Sequence, residues 1–147
     1  MTELEITEFS GRVKMALEKA VVLSEKAVSE YYHYHVCAIL IDEEGNFFEG
    51  VNWEPVNGAT VCGEVGAVSS YLLSGRKKIE YIVTYGTPVN KEKRADTFCT
   101  PCGSCRQRLS EFCSKDTIVL GMNETGDKVR KFTLGELLPY SFNAENL

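Results

Sequence analysis

Over residues 35–41 the chain reads HVCAILI, a short run that is nearly all apolar and rich in β-branched side chains. Apolar residues at both odd and even positions leave a strand no face to show to water, so it belongs inside a sheet covered on both sides. After the turn DEEGN, which uses Gly45, the run FFEGVNW reads as its hairpin partner. Both strands are expected to be central.

The cover has its own signature. Phe9, Val13, Leu17, Ala20 and Val21 recur at helical spacing among Arg, Lys and Glu, which predicts an amphipathic helix over about residues 10–29. ATVCGEVGAVSSYLLSGRKK reads as a second helix that stops at Gly75 before Arg76, Lys77 and Lys78. IEYIVTYG is then a third strand, GSCRQRLSEFC a helix, DTIVLGMN a strand and TLGELLP a last helical turn. Between the third strand and third helix lies a charged, turn-rich stretch, residues 87–98. Strands alternating with helices predict that the later strands run parallel. The expected fold is α/β, a three-layer α/β/α sandwich with a mixed central sheet.

A chain of 147 residues with 44% hydrophobic content suits one domain, residues 1–147, with a real core. A net charge of −5 supplies no basic stripe for a long nucleic acid. A small, neutral or cationic ligand fits better. The first residues carry acids and no continuous apolar run, so no secretory signal is expected there. Nowhere do the ~18 consecutive apolar residues of a membrane span occur, and a cytoplasmic location is expected. In that reducing setting six cysteines point to metal binding or catalysis rather than to disulfides.

TPCGSCRQ places Cys102 and Cys105 in a C-x-x-C pair at the start of a predicted helix. A redox pair, a structural disulfide and a four-cysteine structural zinc site with Cys99 and Cys113 all compete for it. Against the last, Cys113 lies about two helical turns beyond Cys105. Cys62 stands at the start of the second helix as this pair does at the third, and helix N-termini favour thiolates. Two such termini at one sheet edge bring three sulfurs together, and three protein ligands on zinc leave a fourth position for water. Glu64, two residues after Cys62, is by itself an ordinary acid in a first helical turn. Beside a catalytic zinc it becomes a proton carrier.

CGE followed by PCGSC matches the zinc deaminase signature, in which the Glu is not a ligand. The chain closely resembles the cytidine deaminase family with three cysteine ligands, which includes small nucleoside deaminases and the blasticidin S deaminases. The resemblance implies one Zn2+ on Cys62, Cys102 and Cys105, Glu64 as the catalytic acid and base, and the Gly63 amide meeting the pyrimidine carbonyl. EGVNWE looks like the family's G-x-N-x-E strand, which gives Asn52 and Glu54 the ribose hydroxyls. YYHYHVCAIL puts Tyr34 where the family has a Phe against the pyrimidine ring. GELLPYSFNAENL resembles a C-terminal segment whose Phe, here Phe142, closes a pocket in a homotetramer. Without a ligand, Asn52 and Glu54 are strand-end polar residues, and Tyr34 and Phe142 are core aromatics.

The family commonly reads C-A-E-R where this chain has Cys62, Gly63, Glu64 and Val65. Three thiolates on zinc leave a net negative charge, so with Val65 in place of Arg the compensation must come from helix termini, backbone amides or Arg106. Residues 52–62 are about one residue shorter than usual and 87–98 are longer, and both loops are expected to border the pocket. Blasticidin-type relatives lack the Glu of N-x-E, so Glu54 favours a nucleoside with free sugar hydroxyls. The expected activity is hydrolytic deamination of cytidine or deoxycytidine to uridine or deoxyuridine plus ammonia, a pyrimidine salvage reaction. The alternatives are a deaminase of another aminated heterocycle, such as a blasticidin S-like antibiotic, or an inactive zinc-binding relative.

Overall fold

In β2 (Tyr34–Asp42) the two side-chain parities enter two different cores. Cys37, Ile39 and Ile41 pack with Ala16, Leu17 and Ala20 on one face, while Ala38 and Leu40 pack with Ala67 and Tyr71 on the other. The first set is closed by α1 (Gly11–Ser24), the second by α2 (Gly63–Leu72) and α3 (Gly103–Leu109). β4 (Ile79–Pro88) and β5 (Ile118–Met122) divide in the same way, with Val83 and Leu120 toward α1 and Ile82 and Val119 toward α2 and α3. Each large aliphatic side chain fully removed from water contributes about 1.5–3 kcal/mol, so the sheet is stabilised from both sides.

The computed structural model describes residues 1–147. β1 (Thr2–Glu5), β3 (Phe47–Val51) and β6 (Lys128–Thr133) complete a six-stranded sheet in the order β1-β6-β5-β4-β2-β3. Only β4 and β5 pair in parallel, and all other neighbours are antiparallel. The short α4 (Leu134–Leu137) follows β6 directly. This is the expected α/β sandwich with a mixed sheet. No helix is long and apolar enough to cross a membrane.

The expected elements shift where tertiary hydrogen bonds compete with local pattern. The first helix stops at Ser24 rather than near residue 29, because Val28 donates to the Asn52 carbonyl at 3.1 Å and accepts from the Glu54 N–H at 3.0 Å. The second begins at Gly63, since Val61 is already paired across to Trp53. The left-handed residue beyond it is Arg76, at φ 54°, rather than Gly75. The third ends at Leu109 instead of Cys113. Two strands, β1 and β6, are absent from the expected order, and they pair with each other at one side of the sheet.

Candidate active site

Cys62 is the N-cap of α2 and Cys102 the N-cap of α3, and both caps are extended. The two helices start side by side over the same sheet face, so Cys105, in the first turn of α3, turns back toward both caps. The three sulfurs lie within 4.8 Å of one another. Tetrahedral zinc with Zn–S bonds of ~2.3 Å needs sulfurs about 3.8 Å apart, so the cluster fits one ion with small side-chain adjustments.

α2 reaches this position because β3 carries no side chain at Gly50. A Cβ there would sit 2.1 Å from the Gly63 carbonyl oxygen and 2.4 Å from the Ala67 nitrogen. A Cβ on Gly63 would in turn meet the Gly50 oxygen at 3.1 Å, which fits Gly rather than Ala in this chain's Cys-Gly-Glu segment.

The thiols differ. Burial pushes the Cys62 and Cys105 thiols up, with Glu64 adding to both. Burial also opposes ionisation of Cys102, but the neighbouring Cys105 amide and the Cys105 and Cys62 thiols hold it below the ordinary thiol value. Two reluctant thiols beside a willing one form a set that a divalent cation ionises as it binds. The Arg106 guanidinium bonds the Pro101 carbonyl at 2.7 Å, the Leu137 carbonyl at 2.9 Å and the Thr100 hydroxyl at 3.0 Å. It braces the turn that carries Cys102 and donates to no sulfur.

Glu64, in the first turn of α2, is only 4% exposed. Burial raises its pKa, partly offset by its own backbone N–H and by Cys105. It lines a cavity of about 230 Å³ together with Cys62, Gly63 and Cys102. A protonatable carboxyl, a trio of thiols and an open hollow of small-molecule scale meet at this one place.

Residues 12–122 match the family model for the cytidine and deoxycytidylate deaminase zinc-binding region. The chain belongs to this family. Its members are hydrolytic deaminases with a zinc-binding region, and the three-cysteine cluster could bind one zinc. The chain is 33% identical to a cytidine deaminase of Halalkalibacterium halodurans over 91% of its length and 96% of the relative's. It is 30% identical to a blasticidin-S deaminase of Bacillus cereus, covering 88% of this chain and 89% of the relative. A crystal structure of a cytidine deaminase from Burkholderia pseudomallei superposes with a TM-score of 0.74 at 31% identity, covering 86% of this chain and 95% of that one.

In this deaminase Asn52, Glu54 and Tyr34 also line the cavity, as do Cys99 and the exposed Tyr32. Asn52 and Glu54 are 8% and 7% exposed, so they are not the solvated strand-end residues of the plainer reading. Asn52 accepts from the Val36 N–H at 2.7 Å and donates to the Tyr34 carbonyl at 2.9 Å, which pins β2. Glu54 accepts from the Tyr31 and Tyr32 amides at 2.9 and 3.2 Å. Each keeps further lone pairs or protons for a ligand. Tyr34 lies across Gly86, where a Cβ would come within 2.7 Å of its ring.

Phe142 is 60% exposed and lies outside the cavity of the single chain, its carbonyl accepting from Gln107 at 2.8 Å. Of the loop 87–98, Asn90 caps a single turn and Ala95 and Thr97 bond to Glu124. Cys37 and Cys113 stand apart from the site, each pushed up to about 12 by burial. Cys99, outside the three-cysteine cluster, borders the cavity, and burial with nearby Glu64 and Glu124 pushes it up to about 12. His33 and His35 border a different hollow.

Proposed function

We propose that this protein deaminates cytidine and deoxycytidine hydrolytically, giving uridine or deoxyuridine and ammonia. The observation that carries the reading is a buried carboxyl, Glu64, lining the same cavity as Cys62 and Cys102 of the three-cysteine cluster. Zinc on Cys62, Cys102 and Cys105 supplies a Lewis acid that makes water acidic near neutral pH. Glu64 takes a proton from the attacking water and gives it to ring N3, so that C4 becomes electrophilic. The same carboxyl then carries the second water proton to the departing amine. Its raised pKa suits both transfers. The Gly63 amide, at the first position of α2, holds the pyrimidine carbonyl, and Tyr34 flanks the ring.

Asn52 and Glu54 bind the sugar hydroxyls through the donor and acceptor capacity that β2 and the Tyr31–Tyr32 amides leave unused. Glu54 is also what favours a nucleoside over a blasticidin-type substrate. Exposed Tyr32, Trp53 and Phe142 support a homotetramer in which Phe142 reaches a neighbouring pocket, and the single sheet supports one domain over residues 1–147. Six free cysteines support a cytoplasmic place in pyrimidine salvage. The test is ammonia release from cytidine, deoxycytidine and blasticidin S by the zinc-loaded protein. Turnover of the first two with little of the third is expected. Turnover of blasticidin S alone overturns the substrate assignment.

A further inference from the structure

The cavity has two walls, and they stand over different strands of the sheet. The start of α2 lies over β3 and β2: a Cβ on Gly63 would meet the Gly50 oxygen at 3.1 Å and the Ala38 nitrogen at 3.4 Å. The segment that leads into α3 lies over β5 and β4 instead. The Cys99 N–H donates to the Met122 carbonyl at 2.9 Å, and the Cys99 carbonyl accepts from the buried Thr84 hydroxyl at 2.8 Å. Two glycines let this segment sink onto the sheet. A Cβ on Gly121 would come within 2.5 Å of the Cys99 oxygen, and one on Gly86 within 2.8 Å of the Cys99 sulfur. Between the walls β2 and β4 run side by side, with Val36, itself a cavity residue, paired to Gly86.

Cys99 therefore has a fixed place in the cavity and, outside the three-cysteine cluster, no assigned task. It stands on the wall opposite Gly63 and Glu64. In the proposed reaction Glu64 serves ring N3 and the Gly63 amide holds the 2-carbonyl, neighbouring positions on one edge of the pyrimidine. The opposite edge carries C5 and C6. With the first edge against α2, the second turns to the β4 side, where Cys99 and the Tyr34 ring meet over Gly86. A free cysteine acts there as a small, soft apolar surface.

We propose that Cys99 is a specificity-determining residue of the deaminase site: its sulfur meets the C5 edge of the pyrimidine and sets how large an apolar group at C5 the cavity admits. The inference rests on reading this cavity as the nucleoside pocket. Because β4 and β5 hold the Cys99 backbone at both its N–H and its carbonyl, this wall cannot retreat from a larger substrate. The room at C5 is left to the side chain at position 99 alone.

The test is kcat/KM for cytidine, 5-methylcytidine and deoxycytidine in the wild type, Cys99→Ala and Cys99→Leu, with zinc content measured alongside. One methylene more or less in an apolar pocket is worth about 10–200-fold. Cys99→Leu is accordingly expected to lower the ratio of 5-methylcytidine to cytidine at least about tenfold, and Cys99→Ala to raise it. The ratio of deoxycytidine to cytidine, set at the sugar end by Asn52 and Glu54, is expected to stay at the wild-type value in both. A 5-methyl ratio that neither variant moves, or a sugar ratio that moves as far, overturns the proposal. If Cys99→Leu fails to fold or loses zinc, Cys99→Ala decides by the same criterion. Where the wild type deaminates cytidine but not 5-methylcytidine, Cys99→Ala is expected to gain the second substrate, and its failure to do so overturns the proposal. A wild type that releases no ammonia from cytidine ends the functional reading and this inference with it, whereas cytidine turnover with ratios indifferent to position 99 ends the inference alone.

Discussion

Gly50→Ala is expected to damage zinc binding and catalysis although Gly50 bears no functional group. The new methyl would stand 2.1 Å from the Gly63 oxygen, 2.4 Å from the Ala67 nitrogen and 2.9 Å from the Gly66 carbonyl carbon, all of them backbone atoms of α2. Ordinary contact begins at 3.4 Å, so the start of α2 must retreat by about 1.3 Å. Cys62 and Glu64 travel with it. Cys102 and Cys105 stay behind, because α3 is held separately by Leu109 in the core and by Arg106. Metal–ligand distances tolerate only about 0.2 Å, and misplacing a reacting group by ~1 Å costs about 10²-fold in rate. The overpacking itself costs about 1–3 kcal/mol. Urea unfolding, zinc content and cytidine turnover of Gly50→Ala measure all three effects. Gly75→Ala, with nothing within 4 Å, is the control expected to match the wild type. A Gly50→Ala protein with full zinc and wild-type kcat would refute the claim that this close approach sets the site.

Cys102→Ser is expected to drop zinc well below one per chain by metal analysis, since a neutral hydroxyl replaces the most readily ionised ligand. Unchanged zinc content would remove Cys102 from the ligand set. Cys37, fully buried, and Cys113, half-buried, are both pushed up to about 12 and are expected to react slowly with thiol reagents at pH 8, Cys37 not until the chain unfolds. Roughly one in 10⁴ of each is then thiolate, and the rate should climb with rising pH. Rapid modification of Cys37 in the native protein at pH 8 would contradict its buried placement.

The metal site is legible in the sequence because its parts are local. Cys62 with Glu64, and Cys102 with Cys105, are each fixed by one helix start, and the two starts needed only to be set side by side. The partners of Asn52 were not legible, since its bonds to Val36 and Tyr34 depend on where β3 leaves the sheet. Residues 25–29 carry a helical pattern, but Val28 gains two backbone bonds by joining Asn52 and Glu54 instead. In β6, Val129 faces the core between Lys128 and Arg130, so the apolar signal is too sparse to mark a strand. Glu124, in the turn-like NETGD, reads as a solvated acid until a loop 27 to 29 residues away covers it.

The central claim is that Glu64 moves the protons of a reaction whose metal is held by three cysteines. Zinc content and cytidine turnover measured side by side for the wild type and Glu64→Gln test it directly. The account predicts about one zinc per chain in both proteins. It predicts that turnover by Glu64→Gln falls ~10²–10⁴-fold, the usual worth of a positioned acid and base. A Glu64→Gln protein that binds zinc and still deaminates cytidine at the wild-type rate would contradict it.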